Sequence, residues 1–133
     1  MNTRTSTVVA ADWIAAANAK DGKALLALLA EDVVLNPPFQ GEPIYGRGSV
    51  LATFAAFAAV TENFVYGRSW SSDSAVLLEF HADIDGEPIQ AIDLLTLDAG
   101  GKIVRFDVMA RPASSALALG AAIHCLASNV TNG

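Results

Sequence analysis

One carboxylate lies inside an apolar segment of the chain and is the residue best placed to do chemistry. The segment is QAIDLLTL, residues 90–97, and the acid is Asp93. An unpaired charge is costly to bury, so this side chain either faces water or lines a water-poor cavity. In a cavity its pKa rises, because burial disfavours the charged form, and the neutral acid can donate a hydrogen bond to a carbonyl oxygen. A less buried Asp93 would instead act as a base.

Other reactive residue types are weaker candidates. Tyr45, in PIYG, could enter the mouth of a pocket. Glu79 and His81 are two residues apart on a polar strand face, which favours a solvated or subunit-interface role. His124 and Cys125 are adjacent in a predicted helix and point apart, so we do not expect nucleophilic catalysis from them. Two histidines and one cysteine are too few and too poorly spaced for a metal cluster, and we expect neither a metal nor a cofactor.

The elements that position these residues follow from a change of periodicity near residue 64. Helical spacing of apolar residues, with breaks at the KDG and NPP segments, predicts helices over 8–20, 23–33, 49–60 and 114–127. Twofold alternation with tight turns predicts strands over 63–70, 75–84, 87–97 and 102–111. Helices first and an antiparallel meander afterwards predict an α+β fold, with helices on one face of the sheet.

Alternation also predicts which way the third of these strands faces. Asp93 shares the more apolar side with Ala91 and Leu95, the side expected to face the helices. The opposite side still carries Ile92 and Leu94, and no predicted helix remains to cover it. We therefore predict a homodimer that packs through this outer face of the sheet.

Bulky apolar residues recur on the inward faces and form the candidate ligand-binding set. For any single one, ordinary core packing is the preferable explanation. Together with many alanines, which leave space beside large rings, they are consistent with an apolar pocket that holds one buried polar group. The candidate ligand-binding residues are Trp13, Phe39, Tyr45, Phe54, Phe57, Phe80, Phe106 and Val108.

Composition limits the classes of partner. A chain of 133 residues predicts one domain over 1–133, and 53% hydrophobic residues argue against disorder. The net charge of −6 disfavours nucleic acid and anionic membranes, and no segment approaches the length of a membrane span. A single cysteine fits a reducing compartment, and the N-terminus lacks the apolar run of a signal peptide. We expect a cytoplasmic protein.

The chain resembles the SnoaL-like proteins of the nuclear transport factor 2-like superfamily. The resemblance runs from ADWIAAANAKDGKALLALLAEDVV through PIYGRGSV to IDLLTLDAGGKIVRFDVMARP. It implies a curved sheet wrapped by helices around a conical pocket. The last segment is similar to a hairpin of ketosteroid isomerase, in which the matching aspartate is a protonated acid in the oxyanion hole. The resemblance therefore assigns Asp93 the role of a pocket acid.

The rest of that isomerase machinery does not carry over. The tyrosine of the family's first helix falls on Trp13, which has no hydroxyl group. The family's general-base aspartate falls on Pro37, beside Asn36, and neither residue can abstract a proton. The Arg-x-Asp motif of limonene-type epoxide hydrolases does not occur, and the last strand offers Val108 where that family needs an aspartate. Steroid isomerisation by the family's mechanism and epoxide hydrolysis are both disfavoured.

Two functions stay open at the level of sequence. The first is a pocket protein for a hydrophobic, carbonyl-bearing small molecule, in which Asp93 anchors the oxygen and could support an isomerase, cyclase or lyase step. The second is a non-catalytic ligand carrier or a dimerising accessory domain, which the loss of the base and of the tyrosine favours. Whether any reaction is catalysed is left undecided by the residues alone.

Overall fold

The N-terminal helices begin at side-chain caps that the sequence supplies. A computed structural model describes residues 5–132 of the chain, with side chains as far as residue 127. Helix α1 (Ser6–Asn18) follows Thr5, whose side-chain oxygen accepts a hydrogen bond from the Val8 backbone N–H. Helix α2 (Gly22–Leu28) follows Asp21, which caps the Ala24 N–H in the same way. Both predicted helices are present.

The second helix is shorter than its predicted span of 23–33. It ends at Leu28, and strand β1 (Leu29–Asn36) follows directly. Leu29 is already extended, with φ −91° and ψ 138°. Leu29, Val33 and Leu35 are buried along this strand, and burying them against the rest of the sheet outweighs the helical propensity of the LLAED segment.

The remaining elements complete a six-stranded sheet. They are β2 (Ile44–Tyr45), α3 (Arg47–Val60), β3 (Glu62–Ser71), β4 (Ala75–Ile84), β5 (Glu87–Leu97), β6 (Ile103–Arg111) and α4 (Ala113–Asn132). The strand order is β2-β1-β6-β5-β4-β3. The predicted α+β class is confirmed, but the sheet is mixed rather than wholly antiparallel, because β1 pairs with β6 in parallel.

One face of the sheet carries the core, as the alternation predicted. On β4 and β5 every second residue is buried, and the buried set on β5 runs from Ile89 through Asp93 to Leu97. Apolar side chains of all four helices pack on this inner face and form two clusters. The first cluster lies under α1, α2 and α3, and the second lies where Leu119 of α4 meets Ala82 and Ile89.

The last helix packs on the inner side, beside α3. Ser115 anchors its first turn by donating a hydrogen bond to the Pro88 carbonyl at 2.9 Å. Further along, Gly120 lies so close to Phe39 that a Cβ atom at Gly120 would fall 2.6 Å from the Phe39 Cβ. Helix α4 therefore closes the helical layer and does not lie on the outer face. None of the described helices has the length and apolar character needed to cross a membrane.

The outer face of the sheet is covered by none of these helices. Val65, Trp70 and Met109 are exposed there, and Ile92 and Leu94 are only partly buried. The strand pairings place these side chains on the face opposite Asp93. This surface, called the outer apolar patch below, is the one from which the homodimer was predicted.

Candidate ligand-binding site

Asp93 is in the middle of β5, flanked by Leu78 on β4 and Val108 on β6. Its side chain points to the inner face, and only 4% of the residue is exposed. Among the residues that the structure describes, its carboxyl group has no hydrogen-bond partner. Burial raises the pKa of Asp93 well above its ordinary value of 3.8, so the side chain is a neutral acid over a wider pH range than usual.

Space remains next to this carboxyl group. Every fully buried side-chain nitrogen or oxygen in the described part of the chain has a hydrogen-bond partner. Because Asp93 has no such partner, part of its small exposed area must belong to the carboxyl oxygens. A water-sized group can therefore reach the acid.

Tyr66 is a second polar residue of this interior, and sequence reasoning did not single it out. It lies on β3 opposite Phe80, on the inner face. Its hydroxyl oxygen accepts a hydrogen bond of 2.9 Å from the indole nitrogen of Trp13. Burial and the nearby Asp93 raise the pKa of Tyr66, and the Trp13 hydrogen bond lowers it by a smaller amount. The alternation of NFVYGRSW was the available signal, since it puts Phe64 and Tyr66 on one side.

Aromatic rings surround these two polar groups. Trp13 contacts Phe54 edge-on at 5.5 Å between ring centroids and Phe106 at 5.4 Å. Phe57 contacts Phe80 at 5.4 Å. Phe39, Phe54, Phe57, Phe64, Tyr66 and Val108 lie on the inner side, yet each is only partly buried. Partial exposure of apolar groups that face inward is what the rim of an apolar pocket requires.

Tyr45 does not join this group. It is 68% exposed and pairs with Val34, whose side chain lies on the outer face of the sheet. The other predicted ligand-binding residues, Trp13, Phe39, Phe54, Phe57, Phe80, Phe106 and Val108, all lie on the inner side. The structure thus brings the inward set together and leaves Tyr45 apart.

Glu79 lies on the outer face but is not solvated. It is 4% exposed and accepts two hydrogen bonds from the Arg68 guanidinium, at 3.0 and 2.7 Å, and one from the Gln90 amide. Hydrogen bonds from Arg68 lower the pKa of Glu79 from 4.5 to about 2. His81 is 3.9 Å away and more exposed. The arrangement is that of a structural ion pair, and the sequence missed it because Arg68 comes from another strand.

Two surface depressions lie away from Asp93. One, of about 340 Å³, is at the end of the sheet and includes His81, Gln90 and Arg111. The other, of about 550 Å³, lies between α1, α2 and the turn that holds Gly100 and Gly101. Neither depression is lined by Asp93 or by an inward aromatic residue. The interior site is therefore separate from both.

The fold and this interior arrangement define a pocket-type α+β domain with helices on one face of a mixed sheet. The SnoaL-like domain model matches residues 10–106, and the chain belongs to this family. The predicted membership of the SnoaL-like group and its superfamily is thereby confirmed. No curated protein sequence matches the chain significantly.

Solved structures of similar proteins agree with the family. A steroid delta-isomerase from Pseudomonas aeruginosa is 29% identical with a TM-score of 0.89, over 96% of this chain and 94% of that one. A bacterial protein with a cystatin-like fold from Silicibacter pomeroyi is 30% identical with a TM-score of 0.85, over 92% and 86%. A nuclear transport factor 2-like protein from Burkholderia xenovorans, at 20% identity, a TM-score of 0.67 and 77% and 79% coverage, shows the same fold.

Proposed function

We propose that the protein binds a hydrophobic, carbonyl-bearing small molecule in its interior and that Asp93 holds the carbonyl oxygen. The observation that carries this proposal is a carboxyl group on a residue that is only 4% exposed, to which no described residue makes a hydrogen bond. A polar group with so little contact with water gains from a hydrogen-bond partner, and a ligand oxygen would supply one. The similarity to a steroid delta-isomerase supports a ligand of this type.

The chemistry of such a site depends on the protonation state of the acid. A neutral Asp93 donates a hydrogen bond to the carbonyl oxygen and thereby favours enol formation in the ligand. An isomerase, cyclase or lyase step would need a second group that moves a proton from carbon. Pro37 occupies the family's base position, and the amide of Asn36 donates at 2.7 Å to Asp107 on the outer face. Neither residue offers a base to the interior.

A non-catalytic carrier or accessory domain is the second candidate function. The orientation of the Asn36 amide favours it, because that side chain is held by the sheet and is turned away from the site. Binding through Asp93 is common to both candidates. They differ in turnover: a carrier returns its ligand unchanged, whereas an enzyme changes the mass or the double-bond position of the ligand.

The outer apolar patch supports a further part of the proposal, a homodimer. A second copy would cover Val65, Trp70 and Met109 by a self-complementary contact. The free, exposed thiol of Cys125 agrees with a cytoplasmic location, where thiols are kept reduced.

A pair of neutral probes tests the role of Asp93. The pair is 2-acetylnaphthalene and 2-ethylnaphthalene, which differ chiefly in the carbonyl oxygen. We expect the wild type to bind the ketone more tightly than the hydrocarbon. In Asp93→Leu the ratio of these two affinities should fall about three- to tenfold, which is the contribution of one net hydrogen bond. Asp73→Asn removes an exposed carboxylate and should leave the preference unchanged.

Either of two results would contradict the proposal. If the wild type binds both probes equally, or if Asp93→Leu keeps the full preference for the ketone, Asp93 does not hold a ligand oxygen. Native mass spectrometry of the full chain, followed by extraction and mass analysis of any bound molecule, then separates the carrier from the enzyme.

A further inference from the structure

The interior holds a second hydrogen-bond donor that no described residue uses. The indole N–H of Trp13 can only donate, so in the 2.9 Å contact the Tyr66 oxygen is the acceptor. The phenolic proton of Tyr66 must therefore point elsewhere. Within the described part of the chain it reaches no acceptor, just as the Asp93 carboxyl group has no partner.

The two unused groups lie on the same face of the sheet. Tyr66 lies on β3 and Asp93 on β5, on either side of β4, and both side chains are on the inner face. Tyr66 is level with Ala91, two residues from Asp93, so the two backbones are roughly 12 Å apart. They do not bond to each other directly. Yet they are close enough for Asp93 to raise the pKa of Tyr66. Both side chains therefore project into the same part of the interior.

We propose that Tyr66 is the second donor to the ligand oxygen held by Asp93 and that Trp13 is the residue that positions it. This inference rests on the proposed function and adds a residue to the same site. It also explains why a tryptophan can stand in the first helix: its indole N–H holds the hydroxyl of a tyrosine from a different element.

The same observations narrow the ligand class. Both groups that face the oxygen are neutral donors, and Asp93 resists ionisation. The buried charged and polar residues of the described chain are Ser6, Glu79, Asp93 and Ser115, so no lysine or arginine is buried there. A carboxylate ligand would thus lose its hydration without gaining a cation. The site selects an uncharged ketone, enone, ester or lactone and rejects the corresponding acid.

The test uses the folded full chain and three probes: 2-acetylnaphthalene, 2-ethylnaphthalene and 2-naphthoate. Calorimetric titration at pH 7 should show that the wild type prefers the ketone to the hydrocarbon and binds the naphthoate weakest. Tyr66→Phe keeps the ring and removes the hydroxyl group. We expect it to weaken ketone binding about three- to tenfold and to leave 2-ethylnaphthalene binding unchanged.

Infrared spectroscopy of the bound ketone separates a donor from a structural residue. Each hydrogen bond to a carbonyl lowers its stretching frequency, so the frequency should rise on going from the wild type to Tyr66→Phe. Trp13→Phe should raise it as well, because Tyr66 loses its positioning contact. Trp70→Phe is the matched control, since Trp70 lies on the outer face, and it should leave both the frequency and the affinity unchanged.

The failures of the two proposals can be told apart. If Asp93→Leu loses the ketone preference while Tyr66→Phe keeps both affinity and frequency, the role of Tyr66 is refuted and that of Asp93 stands. If neither variant changes ketone binding, or if the wild type does not prefer the ketone, both proposals are overturned. Stronger binding of naphthoate than of the ketone would overturn the ligand class.

Discussion

Asp93 shows how much of one residue's position can be predicted from alternation alone. A strand has a side-chain period of two, so the apolar neighbours of Asp93 placed it on the inner face, and the structure buries it there. Alternation also places Tyr66 on the inner face, but it does not predict the hydrogen bond to Trp13, 53 residues away in the chain. A contact between residues so far apart in sequence depends on the packing of a helix against an edge strand.

Asp93 should make the stability of the protein depend on pH in a defined direction. Its folded-state pKa is raised above 3.8. Above pH 3.8, up to the folded-state pKa, the unfolded chain loses this proton while the folded chain keeps it. The free energy of unfolding of the wild type therefore falls relative to that of Asp93→Asn as pH rises, by up to about 1.4 kcal/mol per pH unit. Above the folded-state pKa the difference between the two free energies is constant.

Urea denaturation of both proteins between pH 4 and pH 9 measures this effect. Asp73→Asn, which removes an exposed carboxylate, should follow the pH profile of the wild type. Parallel profiles for the wild type and Asp93→Asn would show that the carboxyl group titrates normally and is not in an apolar environment.

Glu79 should have the opposite pH dependence. Its pKa is lowered from 4.5 to about 2 by Arg68, so its contribution to stability is full above pH 4.5 and is lost as pH falls toward 2. Glu79→Gln should be less stable than the wild type at pH 7 and equally stable near pH 2. Chemical denaturation at the two pH values measures the difference, with Glu87→Gln, an exposed position at the start of β5, as the control. A difference that persists at pH 2 would contradict the ion-pair explanation.

At the scale of elements, all four helices and four of the six strands were predicted, β1 and β2 were not, and α2 was predicted to run too far. The LLAED segment has good helix formers, so local propensity predicted a helix to residue 33. The structure begins a strand at Leu29 because β6 offers an edge on which Leu29, Val33 and Leu35 are buried. The residues of β6 come about 70 positions later in the chain, so the local sequence around Leu29 does not predict this edge.

The contact between α4 and Phe39 predicts an unusual effect of alanine. Glycine to alanine inside a helix normally stabilises it, by up to about 1 kcal/mol. At Gly120 the new Cβ would lie 2.6 Å from the Phe39 Cβ. Because this atom is next to the backbone and cannot swing away, we expect Gly120→Ala to lower the free energy of unfolding by roughly 1–3 kcal/mol.

Gly48→Ala in α3 is the matched control. A Cβ atom added at Gly48 would meet no other atom within 4 Å, so this variant should be as stable as the wild type or more stable. Thermal denaturation followed by circular dichroism measures both variants. Equal stabilisation by the two alanines would show that α4 does not pack against Phe39 in solution.

At the scale of the whole molecule, the outer apolar patch predicts association. Trp70→Lys, at a residue that is 46% exposed, places a charge within the proposed contact and should convert a dimer to a monomer. Leu117→Lys, on the exposed side of α4, should leave the dimer intact. Light scattering at micromolar concentration measures the mass, and a monomeric wild type would contradict the prediction.

The parallel pairing of β1 with β6 has a consequence for synthesis on the ribosome. Residues 34–36 of β1 pair with residues 105–107 of β6. Strand β1 therefore stays without β6 until almost the entire domain has left the exit tunnel. Contacts of such separation form slowly, because a long loop must close first. The emerging N-terminal half should consequently need protection by chaperones, and its helices should acquire a stable position only at the end of translation.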